Sequence, residues 1–258
     1  MILLNSYKLA KLFVGKFTKF LVTGDKSKKK LRQLRLFSGK YDYRMNIFIT
    51  FAAELKIKLT MTDNIINQLN SLDHHLTVLL NFDGGPLVDN IWLVFTSRLL
   101  WVLPALALIF HLYRNKNTRK QTIFVVIALV VLITLCDQTT SALMKPYFAR
   151  LRPSHTPGVE NLLHYVNGYR GGQYGFASSH AANSFGAVTF VSLLLKRRWV
   201  TVALFLLALC VCYSRIYLGV HFFGDLFVGA IIGCIYGLIV YHINNIVYLR
   251  LTKQQEAG

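Results

Sequence analysis

Apolar residues in this chain gather into long runs, and polar residues into short breaks between them. Five runs approach the ~20 apolar residues with which a helix crosses a hydrocarbon core, each bounded by charged or Gly/Pro-rich sequence. They lie roughly at 91–112, 121–144, 180–195, 199–218 and 222–249, the third short and the last long enough to overshoot. Upstream, 61–82 mixes polar and apolar residues at helical spacing but carries Asp73, His74 and His75 in its middle. Such charges are costly in lipid, so this segment is expected to lie on the membrane surface rather than span it. Asp83, Gly84 and Gly85 are expected to end it. Residues 1–22 place Lys8, Lys11, Lys16 and Lys19 on one broad helical face opposite Leu, Phe and Val, the pattern of an interfacial amphipathic helix. A basic linker, 23–44, follows it.

The pattern therefore predicts an all-α, polytopic membrane helix bundle with about five to six transmembrane helices. It divides into a basic N-terminal segment, 1–60, an interfacial helix and turn, 61–90, and a membrane-embedded domain, 91–258. The first segment lacks the small-residue cleavage site of a secretory signal. Met45 and Met61 each open a stretch that could equally begin a protein, so the sequence allows a start downstream of Met1.

Composition agrees with a bilayer as solvent: 54% of the residues are hydrophobic and only 16% charged, which excludes an ordinary soluble domain of this length. Cys136, Cys210, Cys212 and Cys234 all fall within the apolar runs, without the spacing of a zinc site, and read as small packing residues. The net charge of +18 is uneven, since residues 1–60 hold 14 Lys+Arg against 3 Asp+Glu, or +11. Beside membrane spans such a segment points to anionic lipid headgroups rather than to nucleic acid.

Loop charges set an orientation. Arg114, Lys116, Arg119 and Lys120 follow the first run, Lys196, Arg197 and Arg198 the third, and Arg250 and Lys253 the fifth. By the positive-inside rule these are cytoplasmic, so the loop 145–179 and the turn before the last run share the opposite face of the inner (plasma) membrane. The basic residues 1–60 conflict with this topology unless 61–82 crosses the bilayer.

That outer face collects the residues with chemical potential. Lys145 is followed by Arg152 and Pro153, Ala177-Ser178-Ser179-His180 opens the third run, and Ser214-Arg215 precedes His221 and Asp225. His221 and Asp225 are four apart and on a helix would share a face, so the carboxylate can fix one imidazole tautomer and leave the other nitrogen as a nucleophilic lone pair. Lys145, Arg152 and Arg215, each unremarkable singly, together form a cation cluster that suits a phosphate group. The main-chain N–H groups of Ser178 and Ser179 would join it at a helix N-terminus, with His180 placed to move a proton. Asp137, inside the second run, is placed to brace Lys145, with Arg98 as a competing partner. Arg170 suits a headgroup or water equally.

These clusters resemble the type 2 phosphatidic acid phosphatase superfamily, which also contains vanadium-dependent haloperoxidases, over about 91–249. Its pattern is K-x6-R-P, then P-S-G-H, then S-R-x5-H-x3-D. The first and third parts match completely, while Ala177 and Ser179 stand for the proline and glycine of the second. A serine there keeps the main-chain donor and is strained only at positive φ. The resemblance implies a haloperoxidase-like helical core, phosphate contacts from Lys145, Arg152, Ser178, Ser179 and Arg215, His180 as general acid and base, His221 as nucleophile and Asp225 as its orienting partner. It implies hydrolysis of a lipid phosphate or diphosphate through a phosphohistidine, with no metal and no cofactor, since three fixed cations can neutralise the phosphoryl charge. Substrates suggested by the resemblance are undecaprenyl diphosphate, phosphatidylglycerol phosphate, phosphatidic acid and a lipid A phosphate. The rival readings are a phosphotransferase using the same site and a non-catalytic phosphate-binding or transport protein. The expected partners are the lipid substrate and the membrane, without nucleic acid or an obligatory protein partner.

Overall fold

The structure, a computed structural model, describes residues 61, 63–114 and 119–257. The chain divides into two units, 1–71 and 72–258, and the described part of the first is helical. The amphipathic helix expected at 1–22, the linker 23–44 and the remainder of the basic segment lie outside the described residues.

The second unit is built of helices: α1 (72–80), α2 (Gly85–Thr96), α3 (Val102–Arg114), α4 (Arg119–Asp137), α5 (Ser179–Leu195), α6 (Arg198–Tyr217) and α7 (Phe223–Ala257). α4 continues through a π-helical segment, Gln138–Met144, into a last turn, Lys145–Phe148. Among the described residues the only β pairing is an isolated antiparallel bridge between Leu151 and Tyr174.

Of the five expected spans, three are long and apolar enough to cross a membrane: Gln121–Phe148, Arg198–Tyr217 and Phe223–Arg250. The first expected span is not one straight helix. It breaks at Ser97, whose extended backbone (φ −69°, ψ 138°) and side-chain oxygen, accepting from Leu99 N–H, end α2 and restart the chain. The resulting pair is bent by 64° and makes a fourth candidate only if taken as one span. α5 has 17 residues, so it reaches about 26 Å and falls short of the ~30 Å hydrocarbon core.

Outward positions on the long helices are apolar, among them Ile127, Val130, Leu206 and Ile235. That coat suits hydrocarbon solvent and leaves internal packing to small residues. Gly229, Gly233 and Gly237 lie along α7 against the main chain of α5. A Cβ on Gly237 would lie 2.6 Å from Gly186 O, and one on Gly229 or Gly233 would collide with Ser178 O or Ala182 O. The main interior cluster, with Leu108, Leu132, Cys136, Ala182, Phe190 and Val240, joins α3, α4, α5 and α7. All four cysteines are free, as packing residues should be, with Cys136 buried in this cluster.

α1 ends at residue 80, ahead of the expected DGG stop. Asn81 then clamps the site loop to α6, donating to Tyr217 O (2.6 Å) and accepting from His164 N (2.7 Å). Asp73 and His74, read as marks of a surface helix, also contact the site: Asp73 meets Arg150 and Gly224, and His74 stacks on Phe222.

Gly233→Ala should force α5 and α7 apart and cost roughly 1–3 kcal/mol, the usual penalty for overpacking. The loss should appear as a lower midpoint of thermal unfolding in detergent. Gly172→Ala, where an added carbon meets nothing within 4 Å, should leave the midpoint unchanged.

Candidate active site

The α6–α7 turn places the central imidazole. Leu218 N–H and Val220 N–H donate back to Ser214 O (3.0 Å) and Arg215 O (3.1 Å), and Gly219 takes φ +66°, a conformation that glycine adopts without penalty. The chain thereby reverses and delivers His221 ahead of α7, 1% exposed, with Asp225 fully buried. The expected pairing is present, but not as two residues on one helix face. Asp225 lies in the first turn of α7, and its Oδ2 accepts from Phe222 N–H (3.1 Å), the reach-back of a capping box, and pairs with His221 Nδ1 (3.3 Å). A carboxylate can only accept, so the neutral imidazole carries its proton on Nδ1 and its lone pair on Nε2. Gly175 closes over the pair, since a Cβ there would lie 2.7 Å from Asp225 Oδ2 and 3.5 Å from His221 Nδ1.

Each predicted cation is held by a separate device. Lys145 Nζ donates to Ser141 Oγ (3.2 Å) and Ser179 Oγ (3.1 Å), and Ser141 Oγ in turn donates to Asp137 Oδ1 (3.2 Å). Asp137 thus braces Lys145 through a hydroxyl; the side chain of Arg98 lies outside the described set. On a regular α-helix Asp137 and Lys145 would sit on neighbouring faces. The π-helical segment widens the turn, with Lys145 N–H donating to Thr140 O, and brings the three residues into line.

Ala149 ends the turn Lys145–Phe148 in the left-handed region (φ 46°), and residues 150–152 then pair with 173–175. Arg152 N–H donates to Gln173 O (3.0 Å) and Gly175 N–H to Arg150 O (2.9 Å), while Arg152 Nε donates to Tyr174 O (3.0 Å). Arg215, 3% exposed, donates to Thr96 Oγ1 at the end of α2. Arg152 NH1 and Arg215 Nε are buried donors without an acceptor among the described residues. Buried donors are normally satisfied, so this pair fits a site for an anion. Arg170 turns away to Glu160 (3.8 Å) and over the Tyr165 ring.

The second cluster is only partly as expected. Ser178 N–H donates to Asp225 O (3.0 Å), and Ser178 caps α5, its Oγ accepting from Ala181 N–H (3.5 Å). That main-chain donor therefore ties α5 to α7 and is not free for phosphate. Ser179 N–H, first in the helix, precedes the intrahelical ladder, as a main-chain donor for an anion must. Ser179 has a helical backbone rather than a positive φ, so serine fits where the family pattern has glycine. Its hydroxyl also joins Thr140 (2.8 Å) and Ser141 (2.7 Å). His180 follows in the first turn, within electrostatic reach of Arg215, His221, Lys145 and Arg152.

A cavity of about 690 Å³ leads away from Ser179 and His180 between α3, α4, α5 and α6. Its walls include Trp101, Leu108, Leu129, Ile133 and Val188, with Asp137 and Gln138 at the polar end. Sequence reasoning missed Thr96, Thr140, Ser141 and Arg150, all supporting groups. For Arg150 a signal was present: it stands two before Arg152, and on an extended chain such residues share a face.

The PAP2 superfamily model matches residues 121–247. A lipid A 4'-phosphatase of Porphyromonas gingivalis is 37% identical over 172 residues, 67% of this chain and 72% of that protein. A lipid A 4'-phosphatase of Bacteroides thetaiotaomicron is 36% identical over 188 residues, 72% of this chain and 83% of that one. The chain belongs to the PAP2 superfamily. The PAP2 fold agrees: a transmembrane PAP2 type phosphatidylglycerolphosphate phosphatase from Bacillus subtilis superposes with TM-score 0.55 at 16% identity, covering 70% of this chain and 88% of that one. This PAP2 protein is an integral membrane phosphatase.

Burial, followed by the nearby charges of Arg152, Arg215, Lys145 and Arg150, pushes the pKa of His221 well below its ordinary 6.5. Its imidazole should therefore stay neutral as pH falls through 6.5. Nuclear magnetic resonance of ¹³C-histidine-labelled protein should show the resonance missing from His221→Ala still in the neutral form at pH 6. A midpoint at 6.5 or above would contradict the burial.

Proposed function

We propose that this protein hydrolyses a phosphate monoester on a lipid A-type glycolipid, at the non-cytoplasmic face of the inner membrane, through a phosphohistidine on His221. The observation that carries the reading is a buried imidazole with a carboxylate at Nδ1, facing a ring of Lys145, Arg152 and Arg215 in which two buried donors lack an acceptor among the described residues. The apolar cavity beside His180 suits the hydrocarbon part of an amphiphile. The two lipid A 4'-phosphatase relatives favour a glycolipid headgroup among lipid phosphates. The basic sequence that follows α3, α5 and α7 supports that face by the positive-inside rule.

In the first step Nε2 attacks phosphorus, the P–O bond to the lipid breaks, and His180 protonates the departing oxygen. Asp225 holds the Nδ1 proton and stabilises the imidazolium. Lys145, Arg152, Arg215 and the Ser179 N–H hold the phosphoryl oxygens while charge spreads over them, and Ser178 holds the start of α5. In the second step water, giving a proton to His180, attacks phosphorus, the P–N bond breaks, and inorganic phosphate leaves. The three side-chain cations perform the neutralisation that a metal performs elsewhere.

Purified protein in detergent should release phosphate from a lipid A 4'-phosphate, the lipid product being lighter by one phosphate unit on mass analysis. His221→Ala should abolish release while the protein stays folded. Asp225→Asn should slow it by about 10²–10⁴-fold, since the tautomer and the charge stabilisation are both disturbed. EDTA should leave the rate intact. Activity that disappears with chelation and returns with Mg²⁺ would overturn the mechanism, and a product carrying phosphate moved to a second lipid would make the enzyme a transferase. Greater activity on undecaprenyl diphosphate would reassign the substrate.

A further inference from the structure

Asp225 has two oxygens, and only Oδ2 serves His221 and Phe222 N–H. The other, Oδ1, accepts from Arg150 NH1 at 2.7 Å. Arg150 is not free to swing toward a phosphate, because its NH2 donates to Asp73 Oδ2 at 2.6 Å. Its guanidinium also lies over the Phe222 ring, 4.5 Å from the centroid, and His74 stacks on that same ring at 4.6 Å. The second oxygen of Asp73 accepts from Gly224 N–H (2.9 Å), in the first turn of the helix that bears Asp225. One acidic residue of α1 therefore holds both the arginine and the carboxylate's own helix.

We propose that Arg150, anchored by Asp73, is a positioning residue for the His221–Asp225 pair, fixing the Asp225 carboxylate so that Oδ2 stays directed at Nδ1. Rotation of that carboxylate would break the Arg150 contact at one oxygen and the His221 and Phe222 contacts at the other. The charges also close. Arg150 alone would cancel Asp225 and weaken its hold on the imidazolium formed during attack. Asp73 restores a net charge of −1 over Asp73, Arg150 and Asp225, which faces His221 against the cations Lys145, Arg152 and Arg215. Removing Arg150 leaves Asp225 Oδ1 without its cation and frees the carboxylate to rotate. The groups facing Asp225 are His221, Arg150, Arg152 and Lys145, and those facing Arg150 are Asp73, Asp225, His74 and His221.

This inference rests on the His221 mechanism above, and the test separates the two. Arg150→Gln, Arg150→Lys and Asp73→Asn are compared with wild type, each alone and in the Asp225→Asn background, on a lipid A 4'-phosphate in detergent. Arg150→Gln should lower kcat by about 10- to 100-fold with KM changed by no more than about threefold, because the lost effect belongs to the chemical step. Arg150→Lys should recover part of that loss, and Asp73→Asn should fall on the same side. Once Asp225 is Asn, losing Arg150 as well should cost less than about twofold, since two residues acting through one contact are not additive.

A raised KM with unchanged kcat would make Arg150 a substrate contact and overturn the proposal. So would full additivity with Asp225→Asn. If Arg150→Gln does not fold, Asp73→Asn carries the same comparison. If His221→Ala keeps activity, the mechanism itself fails, and that result is distinct from a failure confined to Arg150.

Discussion

Two helices that touch through their backbones organise this enzyme. Gly229, Gly233 and Gly237 bring α7 against the main chain of α5 at Ser178, Ala182 and Gly186, closer than any side chain would allow. At the top of the seam Ser178 N–H donates to Asp225 O, so the start of α5 and the first turn of α7 are joined by a hydrogen bond. In lipid there is no hydrophobic force between helices, and close packing of small residues supplies the attraction instead. The register of this contact places His180 and Ser179 beside His221, and each remaining part of the site is then positioned relative to it.

Around the seam, polar groups are held in place by short local devices. A π-helical turn lines up Asp137, Ser141 and Lys145. A brief extended pairing holds Arg150 and Arg152. A glycine in the left-handed region turns the chain so that His221 enters ahead of its helix. The first departs from the regular helix that an apolar run predicts, the other two lie between runs, and all three sit at the site. Where backbone leaves the helical ladder at membrane depth its polar groups need partners inside the protein, so such breaks gather where polar side chains already cluster.

The electrostatic arrangement has an inner logic. Three cations, two with buried donors unpaired among the described residues, surround a buried imidazole, and two carboxylates with one arginine stand behind it. Cations on one side suit a phosphoryl group, and net negative charge on the other suits an imidazole that becomes positive as it attacks. The apolar cavity beside His180 adds a place for hydrocarbon, consistent with an amphiphilic substrate.

The helical class and the residues with chemical potential were readable from the chain alone. Apolar runs of spanning length and three spaced motifs lie within short windows, where local periodicity and residue type are informative. Lys145, Arg152, Ser179, His180, Arg215, His221 and Asp225 could be singled out as candidates for that reason. The break at Ser97, the use of Ser178 N–H as a tie between helices, and the partnership of Asp73 with Arg150 could not. Asp73 is 77 positions from Arg150 in the chain, and as an isolated acid in an apolar segment it read as a mark of the membrane surface. Its partner is chosen by helix packing, a long-range geometry that single-chain periodicity does not carry. Motif spacing shows which side chains can do chemistry, whereas only the tertiary contact reveals which neighbours hold them at the right angle.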